Sequence, residues 1–296
     1  MNYILLFIQK NVIGIVFICL LYFILYVYFQ FHLALTLILI YVIYFIFLLS
    51  MSRKLNAYSF VHKKSQIPNH IYTYWHDPDQ PELVKRCIAS WKKYNPTYTI
   101  HVIHKDNVSD YMTYTPSYQP SQQFFSDVLR LHVLSLRGGI WLDASVYLNA
   151  SLDWMHTIQQ KQKCEFVGYH QYTGITIPTV ESWCFGCVPQ SSFVNAWKDE
   201  FLKIQHMPIK RYIDKLKKRM KLDHIYDPEY LSVYVAGHAV LHKNKYKLHL
   251  LDGNGPMSTN AMIGYPFYPL FYKEPVVKFI NWQRRLVHNL GLCHFF

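Results

Sequence analysis

One segment in the middle of the chain combines a helix signal, a glycine pair and a short apolar strand. Ser126 is predicted to cap a helix that runs to about residue 136, because apolar residues recur along one side of the segment that follows it. The Gly138-Gly139 pair stops that helix. The apolar residues 140–142 then predict a short buried strand, with Asp143 at its carboxyl end. A helix that leads into such a strand indicates an α/β domain, in which ligands bind beyond the carboxyl ends of the strands.

Two charged residues of the predicted helix are spaced to act together. Asp127 and Arg130 stand three apart and share a face, so an acceptor and a planar donor converge on the hydroxyls of one sugar. Each residue also has an ordinary interpretation, as a first-turn carboxylate stabilised by the helix dipole or as half of a surface ion pair. A carboxylate after a strand, such as Asp143, is normally a turn former. The combination is rarer than its parts, and it favours a nucleotide-sugar site.

Strand and helix signals alternate through the rest of the chain. Further strands are predicted at residues 100–103, 166–169 and 183–188, and a helix at 193–205. About 230 residues follow the apolar amino terminus, which is enough for one α/β domain with a full core and too few for two.

The amino terminus is apolar over a length that suits a lipid bilayer. No Asp, Glu, Lys or Arg occurs between Lys10 and Arg53. Two apolar runs, residues 12–29 and 33–49, would each reach about 25 to 27 Å as a helix, close to a hydrocarbon core of about 30 Å. We therefore expect residues 1–51 to be a membrane anchor that forms a transmembrane helical hairpin.

The charges around the two runs bear on the orientation of the anchor. Lys10 precedes them and a basic linker, residues 52–66, follows them, so two spans place both ends in the cytosol. A single span with a domain facing the Golgi or ER lumen stays open as the alternative. In a lumen the sequons at Asn107 and Asn149 would carry glycans, and the second lies close to Asp143 in the sequence. This favours the cytosolic face.

The net charge of +12 favours anionic partners, which include lipid head groups, a diphosphate and nucleic acid. The chain carries no nucleic-acid-binding signature, so no nucleic-acid partner is expected. Many of the basic residues lie on a predicted helix within residues 203–221, opposite an apolar stripe. That helix is expected either to lie on the membrane surface or to pack on its own domain with a solvated basic face. The stripe consists of Ile209, Tyr212, Ile213, Leu216 and Met220.

Several segments together resemble a known family. They are residues 67–75, 81–96, 125–145, 181–185 and 275–279. They are similar to glycosyltransferase family 32, the DXD-containing sugar transferases, and most of all to its capsular polysaccharide synthesis branch, over roughly residues 67–282. The resemblance implies an α/β, GT-A-like nucleotide-sugar-binding domain with a mixed central sheet in residues 67–296. It also implies a nucleotide-diphosphate sugar donor and transfer with retention. Together with the expected anchor, it predicts a membrane-anchored, retaining hexosyltransferase that moves a hexose to a glycan or lipid-linked acceptor.

The resemblance assigns roles to individual residues. Asp127 and Arg130 fall on the positions that hold donor sugar hydroxyls, and Asp143 on the first Asp of the metal motif, where it also lies against the donor. Ser145 takes the place of the second Asp. The implied cofactor is a divalent cation, usually manganese and alternatively magnesium, held by Asp143 and Ser145. A hydroxyl ligates such a cation less well than a carboxylate does.

A second group of residues has weaker support. Trp75 and Tyr74 end the first strand and are expected to bind the nucleotide, although Trp75 equally suits a core position. Trp183, Lys278 and His249 are candidates for contacts with the donor sugar or the diphosphate. For Trp183 ordinary core packing is the better interpretation, and for Lys278 a solvated surface position is.

The chemistry implied by retention needs no protein nucleophile. If the acceptor attacks from the side of the leaving group, the departing phosphate takes its proton, so no general base is assigned. The rival hypothesis is a catalytically silent scaffold that binds a nucleotide sugar or a membrane partner. It is motivated by Ser145 and by the absence of a late His and Ser-Trp motif found in some members of the resembled family.

Overall fold

The computed structural model describes most of the domain and a few residues of the amino terminus. The described residues are 20, 21, 25, 26, 28–30, 36, 66–113, 121–171, 176–253, 258–260 and 274–279. By its contacts the chain divides into two units, Met1–Lys54 and Leu55–Phe296. The predicted anchor, with its spans at 12–29 and 33–49, and the linker 52–66 lie almost wholly outside the described residues. Within the described part of the chain, no helix is long and apolar enough to cross a membrane.

Nine strands form two sheets within the described residues. In chain order they are β1 His70–Tyr74, β2 Thr99–Ile103, β3 Gly139–Leu142, β4 Val146–Leu148, β5 Phe166–Gln171, β6 Thr179–Cys187, β7 Leu248–Asp252, β8 Ser258–Asn260 and β9 Val276–Lys278. The central sheet has the order β2-β1-β3-β6-β5-β7, and a small second sheet has the order β4-β9-β8. β1 runs parallel to β2 and β3, whereas β6 runs antiparallel to β3 and β5. The predicted α/β class with a mixed central sheet is therefore confirmed.

Helices cover both faces of the central sheet. They are α1 Glu82–Tyr94, α2 Gln122–Arg137, α3 Asp153–Gln162, α4 Ser192–Phe201, α5 Ile209–Lys217 and α6 Ser232–Lys243, with 3-10 turns at Val108–Asp110 and Leu202–His206. Because side chains alternate along a strand, β3 buries Trp141 in the core under α2, α4 and α6, and buries Ile140 and Leu142 in the core under α1. The domain thus has three layers with a core on each side of the sheet.

Helix α2 begins earlier than the sequence predicts. Its cap is Ser121, whose hydroxyl accepts a hydrogen bond from the Phe124 amide at 3.2 Å. The cap predicted at Ser126 is therefore wrong, and Asp127 lies in the second turn. The added turn is stabilised by Phe124, which is buried and packs on the ring of Phe201. Gly138 ends the helix as predicted, with φ of 61°, and a Cβ there would come within 2.5 Å of the Pro189 nitrogen.

The basic segment 203–221 forms two short elements. Pro208 separates the 3-10 turn at Leu202–His206 from α5. Tyr212, Ile213 and Leu216 are buried in the core of the domain, whereas the basic side chains of α5 are exposed. Of the two interpretations of this stripe, packing on its own domain is the one that the structure confirms.

The remaining predicted elements are present with shifted ends. The strands predicted at 100–103 and 166–169 correspond to β2 and β5. β6 begins at Thr179, four residues before the predicted start, and the helix predicted at 193–205 turns into the 3-10 turn after Phe201. Strand ends are set by pairing with neighbours, which local patterning does not record.

Candidate functional site

The carboxyl ends of β1 and β3 meet at one edge of the central sheet. Because Tyr72 of β1 pairs with Trp141 of β3 in parallel, two further residues bring Tyr74 and Asp143 to the same level. The main chain fixes Asp143 there, since its amide donates to the Trp183 carbonyl at 2.8 Å and its carbonyl accepts from the Val146 amide at 2.9 Å. Asp143 therefore emerges at the end of a buried strand, as predicted.

Three donors converge on the Asp143 carboxylate. Its Oδ1 accepts from Arg130 Nη2 at 2.9 Å and from the indole of Trp141 at 3.0 Å. Its Oδ2 accepts from the ammonium of Lys278. Each oxygen thus accepts a hydrogen bond from a cationic side chain, and such charge-assisted hydrogen bonds are the strongest kind in proteins.

Arg130 links three elements of the domain. Its Nη2 also lies 3.1 Å from Asp127 Oδ1, one turn earlier on α2. Its Nη1 donates to the carbonyl of Ser182 on β6 at 2.8 Å and to the hydroxyl of the same serine. The guanidinium lies over the Trp141 ring, 5.1 Å from its centroid, and only 4% of the residue is exposed. The structure therefore brings the predicted residues Asp127, Arg130 and Asp143 together.

The carboxylates around Arg130 have very different proton affinities. Burial opposes ionisation of Asp143, but the charges of Lys278 and Arg130 outweigh it and lower its pKa to about 2. Burial raises the pKa of Asp127 to about 7, and the negative charge of Asp143 adds to the rise while Arg130 opposes it. One carboxylate of the pair that shares Arg130 is thus ionised at neutral pH, and the other changes its protonation near neutral pH.

A third carboxylate, Glu181 of β6, was missed by sequence reasoning. It is 2% exposed, and its Oε2 accepts a hydrogen bond from the Tyr234 hydroxyl at 2.7 Å. Burial raises the pKa of Glu181 to about 7. It also raises the pKa of Tyr234 well above its usual value, so the phenol stays a donor. A signal was present, because a glutamate within a buried strand is rare unless it has a partner.

Trp183 and Lys278 also belong to the site. The Lys278 side chain is 14% exposed and its ammonium lies 5.9 Å from the centroid of the Trp183 ring. Trp183 is buried and stacks on Tyr169 with ring centroids 5.1 Å apart. The structure confirms that Trp183 packs in the core, and the ring of Trp183 also lies beside Lys278 at the site. The solvated position predicted for Lys278 is wrong, because β9 pairs with β4 next to Asp143.

The predicted nucleotide residues lie at the same edge, and His249 does not. The Tyr74 hydroxyl hydrogen-bonds His76 Nδ1 at 2.9 Å, and its ring contacts Phe125 in the first turn of α2. Trp75 follows directly and is half-buried. His249 lies on the edge strand β7, in register with Val167 of β5, so two strands separate it from β3. It is not brought to the Asp143 cluster.

The residues predicted to hold a metal fit a divalent cation poorly. Ser145 is 2% exposed, and both Asp143 oxygens already accept bonds from cationic side chains. Hard divalent cations bind through several oxygen ligands, of which carboxylates are the strongest here. In the part of the chain that the structure describes, no group of three or more His, Cys, Asp or Glu residues is arranged to hold a metal. The two predicted metal ligands therefore offer one carboxylate, and the side chains of Arg130 and Lys278 already occupy its two oxygens.

Comparison with known families gives one match. A model of the family described as "Capsular polysaccharide synthesis protein" matches residues 26–252. The match begins within the apolar amino terminus and ends at the close of β7, so it includes Asp127, Arg130 and Asp143 and leaves out Lys278. Comparison with curated protein sequences gave no match.

Solved structures provide distant likenesses. A glycosyltransferase involved in the glycosylation of the major capsid of PBCV-1 is 10% identical, with 75% of this chain and 98% of that chain covered and a TM-score of 0.47. The galactosyltransferase LgtC, in complex with donor and acceptor sugar analogs, is 9% identical over 75% and 95% of the two chains, with a TM-score of 0.39. Mouse xyloside xylosyltransferase 1 is 9% identical over 71% and 97%, also with a TM-score of 0.39. The family assignment therefore rests on the family model.

Proposed function

Because this chain belongs to the capsular polysaccharide synthesis protein family, we propose that residues 67–296 form a GT-A-like glycosyltransferase domain. Its reaction is the transfer of a hexose from a nucleotide-diphosphate sugar to a glycan or lipid-linked acceptor. The observation that supports this best is the convergence of Asp127, Arg130 and Asp143 at the carboxyl edge of a mixed sheet. Membership of glycosyltransferase family 32 itself stays a prediction.

The electrostatics suit a neutral sugar attached to an anionic leaving group. Near neutral pH the protonated form of Asp127 donates to a sugar hydroxyl, whereas ionised Asp143 accepts from one. Arg130 supplies positive charge at the same place, where a buried guanidinium interacts more strongly with an anion than it would in water. Trp75, which is half-buried directly after β1, offers a ring face to a nucleobase, with Tyr74 buried beside it.

Retention follows if the acceptor enters on the side from which the diphosphate leaves. The bond between the anomeric carbon and the diphosphate oxygen breaks, and its electron pair stays with the diphosphate. The acceptor hydroxyl oxygen then bonds to the anomeric carbon, and its proton passes to the departing diphosphate oxygen. Glu181 is held by Tyr234 and is not needed in this sequence of steps. No residue of the protein has to form a covalent intermediate.

We place the domain at the cytosolic face of a membrane, anchored by residues 1–51. The support is the absence of charged residues between Lys10 and Arg53 and the basic flanks on both sides. Cytosolic nucleotide sugars would then reach the site directly, and a lipid-linked acceptor would be presented from the same membrane. Glycosylation of Asn149 in a eukaryotic host would show a luminal domain instead.

Asp143→Asn tests the proposal, because it removes the charge and keeps the shape of the side chain. Full-length protein in detergent is titrated calorimetrically with a panel of nucleotide sugars, each with manganese or with a chelator. Release of free nucleoside diphosphate is then followed with the donor that binds. We expect kcat/KM to fall by a factor of about 100 to 1,000, because the variant loses the carboxylate that accepts from the donor sugar and holds the charge-stabilising Arg130 in place. Asp199→Asn is the matched control, because Asp199 is a mostly exposed carboxylate on α4.

The possible outcomes separate the two functions. A donor that binds, with turnover lost in Asp143→Asn and kept in Asp199→Asn, supports the transferase. Equal turnover in both variants refutes the role of Asp143. No donor binding by a folded sample favours the catalytically silent scaffold.

A further inference from the structure

The second sheet carries a lysine into the site. Lys278 is the last residue of β9, and it pairs with Val146, the first residue of β4. The Phe279 amide, one residue on, donates to the Ser145 carbonyl at 3.0 Å. These backbone contacts fix the register of β9 against the turn that follows Asp143. The position of Lys278 is therefore set by the fold of the sheet as well as by its own ion pair.

The ammonium of Lys278 occupies the place where a metal would be expected. It hydrogen-bonds Oδ2 of Asp143, whereas Arg130 and Trp141 both hydrogen-bond Oδ1. A divalent cation that used Asp143 as its ligand would have to displace Lys278 or accept a positive neighbour at contact distance. Ser145, the other predicted ligand, is 2% exposed. The other two carboxylates described at this site are engaged as well, Asp127 with Arg130 and Glu181 with Tyr234.

We propose that Lys278, held by Asp143 and acting with Arg130, is the counter-charge of the donor diphosphate, and that donor binding needs no divalent cation. The proposal rests on the transferase function above and names the group that binds its leaving diphosphate. Lysine is an established phosphate ligand that acts as a point charge, and a positive group fixed before the reaction stabilises the charge that develops as the sugar leaves. Lys278 keeps its proton throughout, so the bonds made and broken in the transfer are unchanged.

The arrangement of the charged groups supports this assignment. Two cationic side chains, Arg130 and Lys278, converge on the two oxygens of the Asp143 carboxylate. A diphosphate that reaches Asp143 would meet both cations. A site in which a metal supplied the positive charge would instead need acidic ligands that no basic residue neutralises.

The test measures binding of uridine diphosphate and guanosine diphosphate to the full-length protein in detergent. Each titration is made with a chelator and again with manganese, on wild type, Lys278→Met, Lys278→Arg and Lys218→Ala. Lys278→Met keeps an apolar stem against Trp183 and removes the charge, whereas Lys278→Arg keeps the charge. Lys218→Ala is the control, because it removes one exposed positive charge that lies just after α5. Thermal unfolding of each variant shows that it is folded.

We expect wild type to bind one of the two diphosphates in chelator with an affinity within about twofold of that in manganese. Lys278→Met should weaken binding by about tenfold or more, the effect of losing a hydrogen bond to a charged group, and Lys278→Arg should weaken it less. Binding that requires manganese in wild type and is unaffected by Lys278→Met overturns the proposal and leaves the transferase function standing. A folded wild type that binds neither diphosphate in either condition overturns both.

Discussion

Two clusters of carboxylates and cationic side chains in this domain use similar residues and differ in where the cations lie. Around Glu200, Lys203 and Lys243 donate to Oε2 at 2.7 and 2.8 Å, and their side chains are 52% and 44% exposed. Around Asp143, the side chains of Arg130 and Lys278 are 5% and 14% exposed. The first cluster therefore has a buried carboxylate and exposed cations, whereas the second has buried cations and a partly exposed carboxylate, since the side chains of Glu200 and Asp143 are 7% and 26% exposed.

That difference separates a structural ion-pair cluster from a functional site. Burial opposes ionisation of Glu200, but its two lysines outweigh burial and lower its pKa, so one carboxylate is neutralised and α4 is joined to α6. The Asp143 cluster has three carboxylates for two cations, and two of the three, Asp127 and Glu181, have a pKa of about 7. Unequal numbers of buried charges leave groups that change protonation near neutral pH, which is typical of sites rather than of structural ion pairs.

The largest effect that separates the clusters is expected from Arg130→Met. It leaves Asp143 with one cation and removes the bonds to Ser182. We expect the free energy of unfolding to fall by about 4 kcal/mol, as when one partner of a buried ion pair is removed. Lys243→Met, which removes an exposed cation from Glu200, should lower it by about 1 kcal/mol at most. Denaturant unfolding of both variants measures the difference, and equal losses would show that the burial of the cation does not matter.

A second effect, in the dependence of stability on pH, is expected from Glu181→Gln. The raised pKa means that the folded state keeps a proton that the unfolded state has already released. This stability is fully present below the ordinary pKa of 4.5 and is lost as the pH rises through about 7. A rise of that size corresponds to about 3 kcal/mol at most.

The measurement compares the free energy of unfolding of wild type and Glu181→Gln at pH 5 and pH 8.5. The glutamine does not ionise, so the variant should lose less stability than wild type between the two pH values. Asp127 contributes a slope of the same sign in both proteins. Parallel curves for the two proteins would contradict the raised pKa of Glu181.

The local parts of the site could be predicted from the sequence. The glycine pair and the apolar run after it are contiguous, so the end of α2, the strand β3 and the position of Asp143 follow from neighbouring residues. Even here the start of α2 was misplaced, because Ser121 and Ser126 both suit a cap. The choice between them depends on Phe124 packing against Phe201 in another helix.

The distant parts of the site could not be predicted. Glu181 gained its role from Tyr234, which α6 brings to it across the core. Lys278 reads as a surface residue, and only the pairing of β9 with β4 carries it to Asp143. Such contacts depend on which strands pair, and hydrophobic patterning does not specify that for short strands. The segment that contains Asp127, Arg130 and Asp143 therefore marked the site, while Glu181 and Lys278 came from elsewhere in the chain.

The smallest effect, and the one that isolates the structural cluster, is expected from Glu200→Gln. The amide keeps a hydrogen-bond acceptor for Tyr212 and weakens both lysine contacts, so the free energy of unfolding at pH 7 should fall by about 2 kcal/mol. Because the pKa of Glu200 is lowered in the fold, this stability is present above the ordinary pKa and is lost as the pH falls through the lowered one. The two proteins should therefore converge in stability at acid pH. Donor turnover should be unchanged, because Glu200 hydrogen-bonds Lys203, Tyr212 and Lys243 in the described part of the domain, and none of these residues belongs to the cluster around Asp143. A loss of turnover without a loss of stability would move Glu200 from the structural cluster to the site and would remove the distinction drawn from the burial of the cations.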